Sequence, residues 1–443
     1  MARERQVFIR GGTVVDSSGT RRADVLVKGE VVASVEPPRG RPATRTSGGG
    51  RAGAPVGALI LDAEGCVLAP GLVDLHAHLR EPGGEEAETV ESAARAAALG
   101  GYTAVVAMAN TDPATDSAAM VSRVLELAKA ACCDVRPAGA LTLGRHGRAL
   151  APMAEMAALG VRIFSDDGAG VQDAALMRRA LEYASALGAV VADHCEEASL
   201  AGAGCMNEGE VSSLLGFAAR PAVSEEVMVL RDLALSRLTG ARLHLLHLSV
   251  AASVAAVRQA KAAGAPVTAE ATPHHLVLTE EAVRSFDTAF KVNPPLRTAV
   301  DVAALREGLA DGTVDAIATD HAPHPPEAKQ VAFCDAAPGT VGLETALAVA
   351  LSELGLPVHK VLALMSWGPA RIAGLSPAHG GPLRPGAPAN LCVIDPGRRW
   401  VVRPGQLASR SGNTAFAGRE LVGKVRHTVF AGEPVVITEE AQR

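Results

Sequence analysis

The chain has 443 residues, 48% hydrophobic, 20% charged and 3% aromatic, a length beyond the roughly 250–300 residues at which one core stops growing, so a large domain with a small companion is the simplest division. Its 42 Lys and Arg against 48 Asp and Glu give a net charge of -6, which removes any polyelectrolyte reason to bind nucleic acid or anionic lipid and leaves a small molecule as the expected partner. No apolar stretch approaches the ~20 residues of a membrane span, the opening MARERQVFIR lacks a secretory core, and seven cysteines with no C-x-x-C pair read as reduced thiols in a cytoplasmic protein.

The first elements, VFIRGGTVVD and ADVLVKGEVVASVE, are short β-branched runs punctuated by glycine, the pattern of antiparallel strands and tight turns. Residues 37–57 are rich in Pro, Gly, Arg, Ser and Thr and too poor in apolar side chains to pack, so a mobile surface insertion is expected there. From Gly65 the pattern changes to eight apolar runs of strand length: CVLAPGLVDLH, YTAVVAM, DVRPAGAL, VRIFSDD, AVVADH, RLHLLHLS, PVTAEAT and VDAIATD. Between most of them lie alanine-rich helical stretches such as EEAETVESAARAAALG and DAALMRRALEYASALG. Strands alternating with helices specify a parallel sheet, and eight such units predict a closed (β/α)8 barrel of the TIM type. Two helical stretches follow, and from about Gly380 the chain returns to short strands, ANLCVIDP, RWVV and GKVRHTVFAGEPVVI. The expected division is a barrel over residues 67–377 beside a small β-sandwich built from both termini, residues 1–66 and 378–443.

In such a barrel the active site lies at the carboxyl ends of the strands. His76 and His78 end the first run, Asp167 the fourth, His194 the fifth, His247 the sixth and Asp320 the eighth. Residues two apart on a strand point to the same side, so His76 and His78 can grip one cation together. Imidazole and carboxylate without thiolate suit zinc or another divalent first-row metal. Six such groups exceed what one tetrahedral catalytic site uses, which suggests two metals sharing a carboxylate; such a pair polarises a carbonyl and acidifies water. His244 lies three residues before His247 and is expected to face away, as packing or as support behind the ligands. His274 and His275 follow the seventh run, where a structural role is at least as plausible. His146, His359, His379 and His427 have no converging partners, and Cys195 lacks a visible base.

The stretch APGLVDLHAHLREPG (69–83) resembles the metal-binding opening of the amidohydrolase superfamily. With FSDDG, DHCEE, MNEGEVSSLLGF, HLLHLS, TPHHL, KVNPPLR, ATDHAPH, VGLET and GNTAFAGRELVGKV, the chain resembles the bacterial type I dihydroorotases along nearly its whole length apart from the insertion. The resemblance implies a cyclic amidohydrolase that interconverts (S)-dihydroorotate and N-carbamoyl-L-aspartate in pyrimidine synthesis, using one or two zinc ions per subunit. It makes His76 and His78 ligands of one metal and His194 and His247 ligands of the other, with Asp167 as the bridge if two are bound. Asp320 matches the acid that touches a metal and shuttles the proton. His78, Arg80, Asn110, Asn293, His324, Pro338 and Gly339 match substrate-binding positions, the last two where a loop closes over the ligand. A homodimer is the family expectation, and association with aspartate transcarbamoylase is compatible with it.

Many hydantoinases and allantoinases bridge their metals with a carboxylated lysine at the end of the fourth strand, but no lysine lies between Lys129 and Lys261. That disfavours the neighbouring cyclic-amide hydrolases. A silent scaffolding homologue is disfavoured because all six metal-type residues are kept. Two departures from the family pattern stand out: Ala109, where a proline usually precedes the asparagine, and the loop from Pro325 to Pro338.

Overall fold

The computed structural model describes residues 5–38 and 55–442. The insertion expected over 37–57 therefore lies outside the described residues except at its ends. No described helix is long and apolar enough to cross a membrane.

Eight short parallel strands pair in sequence order around a ring: Leu72–Ala77, Tyr102–Ala107, Asp134–Pro137, Ile163–Phe164, Val190–Asp193, Leu243–Leu245, Val267–Ala271 and Ala316–Ile317. Parallel bridges Gly139 to Phe164 and Ala77 to His321 join the two arcs. Each of the eight apolar runs in the sequence carries one of these strands. The first run is divided, however. Val67–Pro70 pairs with the terminal strands, and only Leu72–Ala77 enters the ring. The chain passes from one sheet to the other at Gly71, where a Cβ would stand 2.1 Å from the Thr103 hydroxyl oxygen; only glycine leaves room for that close approach.

Helices follow the strands and start where the sequence supplies a cap. Thr89 accepts from the Ser92 amide and so starts Val90–Leu99 five residues later than the alanine-rich pattern suggests. Ser117, Asp173 and Thr298 do the same for Ala118–Leu127, Ala174–Ala186 and Ala299–Asp311. Small side chains on the inward face, Ala93, Ala94 and Ala96–Ala98 on the first of these, are buried against the ring. A cluster drawn from around the ring, Leu75, Val106, Ala138, Ile163, Val190, Leu246 and Ala316, packs with Ile372 and Ala373.

Nine other strands form one sheet that takes members from both ends of the chain, Leu391–Val401 pairing with Val67–Pro70, which in turn pairs with Gln6–Asp16, and Met206–Asn207 pairs with Ala219–Arg220 in a separate two-stranded sheet. The nine-stranded sheet has its own core of Val7, Ile9, Val25, Leu61, Leu68, Leu391 and Val429.

Candidate metal centre

Ring strands deliver the cluster because their carboxyl ends point one way. Asp74 ties the first strand to the eighth: its carboxylate accepts from the Thr319 amide at 3.0 Å, the Thr319 hydroxyl at 2.5 Å and the His76 amide at 3.3 Å. That pairing brings His76 and His78 beside Asp320. Three of the expected site residues, Arg80, His247 and Asp320, have positive φ (60°, 29° and 44°). Non-glycine residues pay about 1–3 kcal/mol for such backbone, which persists only where the surroundings enforce it.

All six metal-type residues are buried and meet around Asp167. Its Oδ2 lies 3.4 Å from His76 Nε2 and 3.5 Å from His78 Nε2, while its Oδ1 lies 3.6 Å from His194 Nδ1 and 3.5 Å from His247 Nε2. The two oxygens thus face two different imidazole pairs, and His76, His78, Asp167 and Asp167, His194, His247 form two clusters each able to hold a cation. Asp320 Oδ1 sits 3.0 Å from His78 Nε2 and 3.6 Å from His76 Nε2. Asp166 turns away and accepts from the Leu141 and Thr142 amides.

Electrostatically the cluster is a set of buried anions surrounded by imidazoles. Burial opposes the charge of Asp167, yet His76, His194 and His247 hold its carboxyl well below the ordinary value. Asp320 is lowered against burial by His76 and His78. Burial likewise disfavours charge on His194, but Asp167 and Glu196 raise it to about 10. His76 Nε2, in the middle of the cluster, is buried with no hydrogen-bond partner. Buried polar atoms are nearly always paired, so a bare nitrogen aimed at two carboxylates fits a cation that the donor set would hold.

Substrate-type residues line one side of this cluster. Arg80 Nε donates to the Pro323 carbonyl at 3.1 Å, and its Nη2 lies 3.4 Å from His324 Nε2. His324 donates to the Pro338 carbonyl at 2.8 Å, and burial with the Arg80 charge lowers its pKa to about 3, so it is neutral. Asn110 joins the cluster itself: its Oδ1 is 2.9 Å from His78 Nδ1 and its Nδ2 donates to Asp167 Oδ2 at 3.3 Å. Asn293 stands beside His194, its Nδ2 donating to Glu196 at 3.3 Å and its Oδ1 accepting from Arg220 at 2.6 Å. Gly339 has φ 148°, and a Cβ there would lie 2.9 Å from His324 Nε2, so a side chain at this point would displace the His324 ring.

Several supporting residues escaped the sequence reading. Glu270 accepts from both His76 and His244; an acid inside the apolar run PVTAEAT was the available signal. Glu196, next but one after His194, pairs with Arg220 at 2.7 Å. Asn413, far along the chain in the stretch GNTAFAGRELVGKV, holds the His324 amide at 3.1 Å and the Ala322 carbonyl at 3.0 Å. His275 bonds Thr272 and the Pro294 carbonyl; Cys195 faces Asp193 and Asp232 rather than the cluster.

Residues 65–253 match the family model described as Dihydro-orotase-like. A dihydroorotase of Streptomyces coelicolor is 49% identical over 98% of both chains, and one of Pelotomaculum thermopropionicum is 46% identical over 97% of this chain and 98% of its own. The chain belongs to the dihydroorotase family. Among solved structures, the L-hydantoinase (dihydropyrimidinase) of Arthrobacter aurescens superimposes with a TM-score of 0.86 at 25% identity, covering 99% of this chain and 97% of that one. The dihydropyrimidinase of Brevibacillus agri gives 0.84 at 23%, covering 99% and 96%, a likeness of fold. The family thus shares the TIM-barrel amidohydrolase architecture, and the ring carries His and Asp clusters able to bind metal.

Proposed function

We infer that this protein is a zinc-dependent dihydroorotase, opening the ring of (S)-dihydroorotate to N-carbamoyl-L-aspartate and closing it again in pyrimidine synthesis. The observation that carries the metal chemistry is the division of Asp167 between two imidazole pairs, with no lysine near the fourth strand to do the same work. Two zinc ions are the reading this favours: His76 and His78 would hold one, His194 and His247 the other, and Asp167 would serve both; imidazole with carboxylate is a zinc donor set. Zinc bound there supplies Lewis acidity that polarises the scissile carbonyl and brings water within reach of deprotonation at neutral pH.

The chain's own groups do the rest. Asp320, its carboxyl held ionised beside His78, is read as the group that takes the proton of the attacking water and returns it to the departing ring nitrogen, a role worth roughly 10²–10⁴ in rate. Arg80 offers a planar fork to the substrate carboxylate, with neutral His324 alongside. His78, Asn110, Asn293 and the main chain at Pro338 and Gly339 are read as the remaining contacts to the ring.

The architecture proposed with this function is the (β/α)8 barrel expected over 67–377, its first ring strand starting at Leu72, and a β-sandwich domain from 1–66 and 378–443 to which Val67–Pro70 is added by its pairing; the ring of pairings and the sheet shared between the termini support it. All seven cysteines are unbridged, which supports a reducing compartment such as the cytoplasm. Homodimerisation and association with aspartate transcarbamoylase rest on the family resemblance alone. Purified protein loaded with zinc should open dihydroorotate in preference to a hydantoin or allantoin, with zinc content measured on the same sample. Preference for either alternative substrate overturns the reading.

A further inference from the structure

Behind His76 lies a chain of buried polar groups that the proposed reaction does not use. Glu270, on the seventh ring strand, is fully buried, and its two oxygens have different partners. Oε1 accepts from His76 Nδ1 at 3.0 Å and lies 3.4 Å from the His247 amide nitrogen. Oε2 accepts from His244 Nε2 at 2.9 Å. His244 is itself held through Nδ1, 2.8 Å from the Thr268 hydroxyl. The order is Thr268, His244, Glu270, His76, running from the seventh strand across to His244 on the sixth, back to Glu270 on the seventh and into the centre of the cluster.

We propose that Glu270 is a positioning residue that fixes the tautomer and ring orientation of His76, with His244 and Thr268 fixing Glu270 in turn. The physical argument starts from the two ring nitrogens of His76. A carboxylate can only accept, so the nitrogen facing Glu270 carries the proton and the other is left with a bare lone pair. That other nitrogen, Nε2, is the buried atom with no hydrogen-bond partner, 3.4 Å from Asp167 and 3.6 Å from Asp320. His244 closes the remaining freedom of the carboxylate, because an acceptor held by one hydrogen bond can rotate and one held at both oxygens cannot. This also assigns a purpose to His244, which faces away from the cluster. A support behind a ligating imidazole typically contributes 10–100-fold in metal affinity.

The inference rests on reading His76 as a metal ligand, and the test separates the two. Zinc affinity is measured by chelator competition on wild type, Glu270→Gln and Thr268→Val, with the visible spectrum of the cobalt-substituted proteins and the melting temperature of each metal-free protein. Glutamine retains the shape but offers one donor end, so it cannot accept from both histidines. Glu270→Gln is expected to bind zinc about 10–100-fold more weakly, with an altered cobalt spectrum and a metal-free melting temperature close to wild type. Thr268→Val, at the far end, is expected to weaken zinc about 2–5-fold, one hydrogen bond's worth. Should Glu270→Gln fail to fold, Thr268→Val decides: wild-type affinity and spectrum overturn the proposal. Wild-type zinc affinity in a folded Glu270→Gln overturns it as well, leaving the metal reading intact. Absence of zinc uptake by the wild-type protein overturns the metal reading and the role of Glu270 with it.

Discussion

The cluster around Asp167 is held side chain to side chain, whereas the loop Pro325–Gly339 beside it is held mainly by its main-chain carbonyls. In the cluster, Glu270 grips His76, Asn110 grips His78, and Asp74 grips the strand that carries Asp320. In the loop, buried Lys329 donates to the Ala337, Gly339 and Lys291 carbonyls at 2.8, 3.0 and 3.3 Å, and Lys291 donates to the Cys334 carbonyl at 2.6 Å. Asn413 adds the Gly339 carbonyl at 3.1 Å, and Phe333 stacks on Phe217 at 5.6 Å. The difference teaches where precision is needed: the atoms proposed to meet a metal are placed by side-chain bonds among residues at the strand ends, and the loop proposed to pass over a substrate is placed mainly by bonds to its main-chain carbonyls.

Substitutions in the two regions should therefore fail in different ways. The largest effect is expected at Asp320: Asp320→Ala should lower kcat by roughly 10²–10⁴, by steady-state assay with dihydroorotate. Arg80→Ala should leave zinc content unchanged and raise KM about 10–100-fold, the loss of a hydrogen-bonded charge pair with the substrate carboxylate. Equal loss of zinc in both variants contradicts the roles assigned to them. Lys329→Met should raise KM by about 3–10-fold, a few carbonyl bonds' worth, with zinc affinity as in wild type; weakened zinc in this variant erases the distinction between cluster and loop.

At the junction of ring and terminal sheet the expected effect is on stability and not on turnover. Glu344 is half-buried there, accepting from the Ala408 amide at 2.7 Å, and desolvation of its carboxyl, aided by the Glu88 charge, raises its pKa from 4.5 to about 7. Between pH 4.5 and 7 the folded protein holds a proton that the unfolded chain has released, so this group's contribution falls as pH rises through that window. Glu344→Gln should accordingly raise the melting temperature at pH 8, an effect of about 1–3 kcal/mol, and leave it unchanged at pH 4.5. An equal shift at both pH values contradicts the buried charge.

The same contrast explains what the sequence disclosed. Apolar runs of strand length are a repeating pattern, and each of the eight contains a ring strand; the reactive residues at their ends were visible because histidine and aspartate interrupt those runs. The boundary inside CVLAPGLVDLH was hidden because both halves are equally apolar, and the switch at Gly71 depends on contact with Thr103. Glu270 was legible as an acid in an apolar run. Lys329 was not, since its partners are carbonyls, which every residue has, and no side-chain pattern records which carbonyl comes near.

Anomalous diffraction at the zinc edge from crystals grown with zinc tests the centre most directly. The account predicts two zinc peaks, one bounded by His76, His78 and Asp167 and the other by Asp167, His194 and His247. A single peak that leaves Asp167 uncoordinated, or no peak among these residues, contradicts it.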